Sequence, residues 1–373
     1  MTPGQPDHSA RREHSALLVS GSIGMGHDTL AAACGGVLEH RGYRTDTLDA
    51  MRLLGRRGGS AGERVFRTML AVPGLFDAVH FAALRPGSRL ALLADAAARR
   101  QVVPRLRGYL DAHPADLAIS VFSTAAAALS RLAPAYPAMS HVVFCTDVTP
   151  HRLWVHPNVD LYLVTSGAAE AAVRRFAPEA RVRVLSSPVR PGFYAAPPRD
   201  AARDQLGIPL QERCVLLMSG AWGLGPVASA AEALGQAGVH VLAVAGRNAR
   251  LERALTAVAA RQPRVRAIGF TDAVPVLMAA ADLIITSSGD TCTEARTVGR
   301  PLLLLDVVPG HGRDNLQHEL ELGDAGVTGP GTADVLRTTL AALDRVKPPE
   351  PGPVRPAAAF EAAFTAALAE IGA

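Results

Sequence analysis

Lysine is almost missing from this chain. Of its 38 basic side chains only Lys347 is a lysine, and it lies in the Pro-rich stretch KPPEPGPVRP; the other 37 are arginines. A lone lysine in such a stretch argues against Schiff-base and pyridoxal chemistry. With no Gly-Lys-Ser/Thr string there is no P-loop. Aromatic residues make up 5% of the 373 positions, a thin supply for the stacking platforms of single-strand nucleic-acid binding. The four cysteines (Cys34, Cys145, Cys214, Cys292) form no CxxC pair. That argues against a zinc site and reads as buried thiols in a reducing compartment. The N-terminal MTPGQPDHSARREHS holds no apolar signal core. No apolar run approaches the ~18 residues of a bilayer span. The expectation is a cytoplasmic protein that can still touch a membrane.

What is present is a globular composition, 49% hydrophobic and 19% charged, with a net charge of +4. The length suggests two domains. Strand candidates are SALLVSG (15–21), RTDTLDA (44–50), DLAISVF (116–122), HVVFCTD (141–147), LYLVTS (161–166) and VRVLSS (182–187). Helical patterns separate most of them, as in a parallel sheet of βαβ units. Pro-rich SPVRPGFYAAPPRD (187–200) breaks the rhythm. It then restarts with CVLLMSG (214–220), VHVLAVAG (239–246), VRAIGF (265–270), LIITS (283–287) and PLLLLDV (301–307).

The pattern predicts an α/β chain of two doubly wound, Rossmann-like domains facing a cleft. A polar N-terminus (1–14) is expected to be disordered. The first domain covers 15–190, a linker 191–200, the second domain 201–345, and a Pro-rich segment with a closing helix 346–373. Ligands of such sheets bind beyond the strand C-termini, so the site is expected between the domains.

Three Gly-rich turns could hold phosphate. GSIGMGH (21–27), SGAWGLGP (219–226) and SSGDTCTEA (287–295) each follow a strand and open a helix. Such turns bring backbone N–H groups and a helix N-terminus to an anion. A tight turn with no ligand explains any one of them equally well. Two in one domain favour a nucleotide diphosphate there. His27, where the first turn enters its helix, is a candidate general base or a capping and packing histidine. Glu294 can bridge a ribose diol, or simply be a favourable first-turn glutamate. The loop VVPGHGRDN (307–315) can read sugar hydroxyls or start a solvated helix. No DxD, HExxH or Cys/His cluster occurs, so helix N-termini and arginines would have to neutralise a phosphate leaving group. Neither a metal nor a cofactor is expected.

Residues 51–110 hold eleven arginines against three acids, around the apolar MLAVPGLFDAVHFAAL (69–84). That combination suits an anionic membrane surface at ~1 kcal/mol per basic residue, or a solvated helical face. Four aromatics and no recognition motif make nucleic acid an unexpected partner.

Taken together, these pieces resemble the monogalactosyldiacylglycerol synthase group of glycosyltransferases. More distantly they resemble the N-acetylglucosaminyltransferase that makes lipid II. The likeness runs from about residue 16 to about 330. It is carried by GSIGMGHDTLAAA, TDVTPHRLWVHPNVDLYLVTS (146–166), SSPVRPGFY, MSGAWGLGPV and SSGDTCTEARTVGRPLLLLDVVPGHGRDN.

The resemblance implies a GT-B type fold and an inverting, metal-independent transfer. A hexose or N-acetylhexosamine would pass from a UDP-sugar, which is a substrate and not a cofactor, to a lipid, diacylglycerol-like or amphipathic acceptor. His27 would be the base. The donor set would be Gly223, Gly225, Phe270, Ser288, Gly289, Thr291, Glu294, His311, Gly312 and Asn315. The acceptor set would be Gly24, Gly26, Asp147, His151 and Trp154. Two segments depart from the family pattern. Ser288-Gly289-Asp290-Thr291 stands for G-P-G-T, which puts a carboxylate where phosphate approaches. His311-Gly312-Arg313-Asp314-Asn315 stands for the Q-E-x-G-N run. Tailoring of a soluble secondary metabolite, sugar-nucleotide epimerisation and a non-catalytic nucleotide-sugar sensor are the alternative readings.

Overall fold

The computed structural model describes residues 14–21, 26–53, 89–148, 150–219, 224–308, 311–346 and 357–373, with the backbone alone at 89–95, 97–99, 311, 312 and 314. The N-terminal tail to residue 13, most of the basic stretch (54–88) and the Pro-rich 347–356 lie outside these residues.

The first sheet has six parallel strands. They are β1 (Ser15–Ser20), β2 (Arg44–Asp49), β3 (Leu117–Ser120), β4 (Ser140–Phe144), β5 (Leu161–Val164) and β6 (Val182–Val184), in the order β2-β1-β3-β4-β5-β6. Its inner strands read as unbroken apolar runs because helices cover both faces; LAIS of β3 and LYLV of β5 are buried throughout. The helices are α1 (Gly26–His40), α2 (Ala50–Leu53), α3 (Arg89–Ala112), α4 (Ser123–Leu132) and α5 (Gly167–Phe176). The chain leaves β1 for β2 on one side and returns to β3 on the other. The C-terminal ends of β1 and β3 therefore form the switch point where ligands bind.

Residues 191–200 were expected to be an irregular linker, but they are largely helical and packed. Short helix α6 (Pro191–Tyr194) buries Phe193 in the core of the second domain, and α7 (Arg199–Leu206) follows. Arg203 of α7 is fully buried. It donates to the carbonyls of Ala280, Pro209, Leu210 and Glu212 and to Asp282 Oδ2 at 2.8 Å. Every one of those bonds ends in the second domain, so α7 belongs to it.

The second sheet repeats the scheme with β7 (Cys214–Met218), β8 (His240–Val244), β9 (Val265–Ile268), β10 (Leu283–Ser287), β11 (Leu302–Leu305) and β12 (Ala325–Thr328). All are parallel, in the order β12-β11-β10-β7-β8-β9. Between them run α8 (Val227–Gln236), α9 (Ala249–Ala259), α10 (Val274–Ala280), α11 (Asp290–Thr297), α12 (His311–Glu321) and α13 (Thr332–Leu343). Here the switch point lies between β7 and β10, the two strands whose Gly-rich turns were singled out in the sequence. The two switch points face each other.

The last helix, α14 (Ala357–Ala369), returns to the first domain. Phe360, Phe364, Ala367 and Leu368 pack with Leu18, Ile119, Val142 and Phe144. The Phe144–Phe360 and Phe360–Phe364 rings stack at 6.4 and 5.5 Å. All four cysteines are free and buried, as expected. Among the described residues no helix is long and apolar enough to cross a membrane.

Candidate functional site

The two rows of strand ends enclose a cavity of about 290 Å³. Gly26, Thr29, Leu30 and Thr146 line it from the first domain. The segments 187–190 and 287–291 form much of the rest, with Glu294 and Phe270. A second cavity of about 380 Å³ shares Thr146, Ser187, Gly289, Asp290 and Thr293 with it and extends to Asn315.

On the second domain, β10 ends in the tight Ser288-Gly289 turn, and α11 begins at Asp290. That places Ser288, Gly289 and Thr291 on the cavity wall, at a helix N-terminus suited to an anion. One turn on, Glu294 is 14% exposed. Burial pushes its carboxyl up to about 7, the charge of Asp290 adds to the rise, and the Arg190 guanidinium opposes it. Arg190 lies 3.8 Å from Glu294 Oε1 and 3.7 Å from Asp272 Oδ1, and packs over the Phe193 ring.

Phe270 follows β9 and is 51% exposed although it is a large apolar side chain. The Arg247 guanidinium covers its ring at 4.5 Å. An open aromatic on a cavity wall, backed by a cation, is a stacking platform.

On the first domain, His27 enters α1 half-buried. Its Nδ1 is 2.7 Å from the Val121 carbonyl oxygen. A carbonyl only accepts, so Nδ1 carries the proton and Nε2 keeps the lone pair. Phe122 meets the imidazole edge-on at 5.2 Å. That ring sits against Gly21, where any Cβ would be 2.5 Å from it. The glycine ending β1 thus lets the residue after β3 orient the histidine.

The remaining expected residues divide. Gly26 is on the cavity wall and Asn315 on the second cavity. Gly225 takes a left-handed φ of 87°, and a Cβ there would lie 2.8 Å from Val307, but it lines neither cavity. His311 and Gly312 open α12. Gly24 and Gly223 lie outside the described residues.

Asp147, His151 and Trp154 form one cluster. Asp147 Oδ2 accepts from Trp154 Nε1 at 2.7 Å and lies 3.3 Å from His151 Nε2. Trp154 is 2% exposed and packs in the core. Its indole supports Asp147 and offers no surface to an acceptor, contrary to the expectation. None of the three lines either cavity, whereas Thr146 beside them lines both. Sequence reading passed over Arg190 and Arg247. Their signal was weak but present, an arginine after each strand-end turn bordering the cleft.

The model of the monogalactosyldiacylglycerol (MGDG) synthase family matches residues 93–189. By sequence the chain is similar to that family over this stretch. It is 30% identical over 224 residues to a probable MGDG synthase, chloroplastic, of Glycine max, covering 56% of this chain and 42% of that one. It is 32% identical over 185 residues to the processive diacylglycerol β-glucosyltransferase of Bacillus pumilus, covering 48% of each. The chain thus spans less than half the length of these relatives. Its fold matches that of Anabaena HepE, solved in complex with UDP, with a TM-score of 0.54 at 17% identity over 96% of this chain and 95% of that one. The chain has the two-domain GT-B fold.

Proposed function

We propose that the chain is a glycosyltransferase that moves a hexose or N-acetylhexosamine from a UDP-sugar to a hydroxyl of a diacylglycerol-like lipid. The observation that carries this is the pairing, around one cleft, of Phe270, Glu294 and the α11 N-terminus with a tautomer-fixed imidazole that lines neither cavity itself but directly follows Gly26 of the opposite wall. Its relatives act on diacylglycerol, and a neighbour of like fold holds UDP, which supports the same donor and acceptor here.

In this reading Phe270 stacks the uracil, Glu294 accepts from the two ribose hydroxyls, and the first turn of α11 faces the diphosphate. The acceptor hydroxyl gives its proton to His27 Nε2 while its oxygen bonds to the anomeric carbon. The anomeric carbon–phosphate oxygen bond breaks, and its electron pair leaves on UDP. One displacement inverts the anomeric centre, and the helix N-terminus takes up the charge in place of a metal ion. Closure of the cleft keeps water from the donor. The arginine excess of residues 51–110 suits a peripheral position on an anionic bilayer, at the cytoplasmic face.

Incubation with UDP-glucose or UDP-galactose and diacylglycerol vesicles in EDTA is expected to yield glycolipid and UDP. UDP release without glycolipid, or product only after a divalent ion is added, contradicts the proposal. Sedimentation with anionic but not neutral vesicles checks the membrane arm.

Glu294 gives a pH signature. A carboxylate that must lose its proton at about 7 before it can accept two ribose O–H bonds makes binding tighten as pH rises through that value. Uridine is the right probe, since it carries no titrating phosphate. Its Kd should fall between pH 6 and 8 in calorimetry, and Glu294→Gln should flatten the curve. A wild-type Kd independent of pH removes Glu294 from the ribose.

A further inference from the structure

Asp290 stands where the resembled family has glycine, and capping does not account for it. A first-turn aspartate ordinarily caps its own helix or favours the helix dipole. Among the described residues, however, no donor hydrogen-bonds the Asp290 carboxylate. Instead it leaves α11 and crosses the cleft. A Cβ placed on Gly26 would lie 2.3 Å from Asp290 Oδ2 and 3.4 Å from Oδ1. Gly26 opens α1 and directly precedes His27. The carboxylate therefore ends beside the catalytic turn of the other domain, on the partition between the two cavities.

We propose that Asp290 is a positioning residue for proton transfer, a carboxylate of the donor-side domain that stabilises the imidazolium of His27 across the closed cleft. This rests on the base role proposed for His27. In the step, the acceptor proton moves to His27 Nε2 and stays there until UDP has left, and Asp290 remains ionised throughout. Two opposing effects act on its charge. The walls crowd the carboxyl and push its proton affinity up, even though the cleft leaves the side chain open to solvent. A protonated His27 pulls it back down. Among the described residues, the groups in contact with the imidazole are uncharged: the Val121 carbonyl, the Phe122 ring and the Thr146 hydroxyl, 3.5 Å from Nδ1. The one further acid at this turn, Asp28, is held by Ser20 at 2.5 Å.

The same carboxylate opposes the diphosphate, which approaches the N-terminus of the helix Asp290 begins. Asp290 thus weakens UDP binding while it speeds transfer. It also ties turnover to closure, because the carboxylate and the imidazole belong to different domains. Gly26 is required for this contact, since any side chain there would occupy the space of the carboxylate.

The test sets UDP affinity against turnover in wild type, Asp290→Asn and Asp290→Gly. Calorimetry with UDP gives Kd, and glycolipid formation at saturating donor gives kcat. The expected result is a split of opposite sign. Both variants should bind UDP a few-fold tighter, through loss of a like charge. Both should turn over ~10-fold or more slowly, as follows from the one or more pKa units that a nearby opposite charge contributes. Turnover at or above the wild-type rate overturns the proposal. So does a joint loss of UDP affinity and turnover, which marks a structural contact only. If wild type itself fails to bind UDP or to transfer sugar, it is the functional reading that has failed, and the two failures are told apart by the wild-type row alone.

Discussion

Replacing His27 with alanine is expected to slow sugar transfer ~10²- to 10⁴-fold, the usual worth of a general base, while UDP affinity stays nearly unchanged. The separation follows from the architecture. His27 hangs on the first sheet, fixed by the Val121 carbonyl and the Phe122 ring. The proposed uridine contacts, Phe270 and Glu294, belong to the second. Calorimetry with UDP and a glycolipid assay on the same preparation make the comparison. Retained turnover with lost UDP affinity would refute the assignment, because it would place His27 with the donor. Equal loss of both would point to a collapsed cleft.

Phe364→Ala should cost about 3–5 kcal/mol of stability, the usual penalty for deleting a buried phenylalanine ring. Phe364 has no exposed surface. It lies in the stack Phe144–Phe360–Phe364, through which α14 closes the face of the first sheet. Arg183 binds Glu370 at 2.7 Å beyond the helix, but this half-exposed pair adds at most ~1 kcal/mol, so the apolar contacts dominate. Urea unfolding followed by far-UV circular dichroism is the measurement. A midpoint equal to that of wild type would mean that α14 is not part of the first domain's core. The loss should be largest in the transition of that domain, even though the helix comes from the far end of the chain.

Much of the fold was legible because parallel strands buried on both faces spell themselves as apolar runs. LIITS is an observed strand from end to end, and SALLVSG and PLLLLDV each contain one, shorter by one and by three residues. β12 was missed. Its sequence AGVT is short, contains a glycine and leaves its middle exposed at the sheet edge, so it has neither a continuous run nor a clean alternation. The linker was misjudged for a related reason. Proline marks breaks in a local pattern, yet Pro191 opens a helical turn that buries Phe193, and Arg203 finds its five partners only after folding.

The site divides in the same way. Glycines at strand ends and the histidine after them are local signals, and the chain order set both at switch points. Arg190 near Glu294, Arg247 over Phe270 and Asp290 against Gly26 join residues far apart in sequence, and no periodicity announces such contacts. Trp154 shows the opposite error. An indole in a polar motif looked like a ligand surface, but its Nε1 is spent on Asp147 and its rings are core.

The central claim is that the second domain grips the nucleotide of a sugar donor through Glu294 and the α11 turn without a metal ion. Titration calorimetry of UDP in EDTA, with wild type and Glu294→Ala side by side, tests it most directly. The account predicts a one-site isotherm for wild type and a loss of about 1–3 kcal/mol in the variant, the worth of hydrogen bonds to a charged group. No heat from wild type until a divalent ion is added, or identical isotherms for the two proteins, would contradict it.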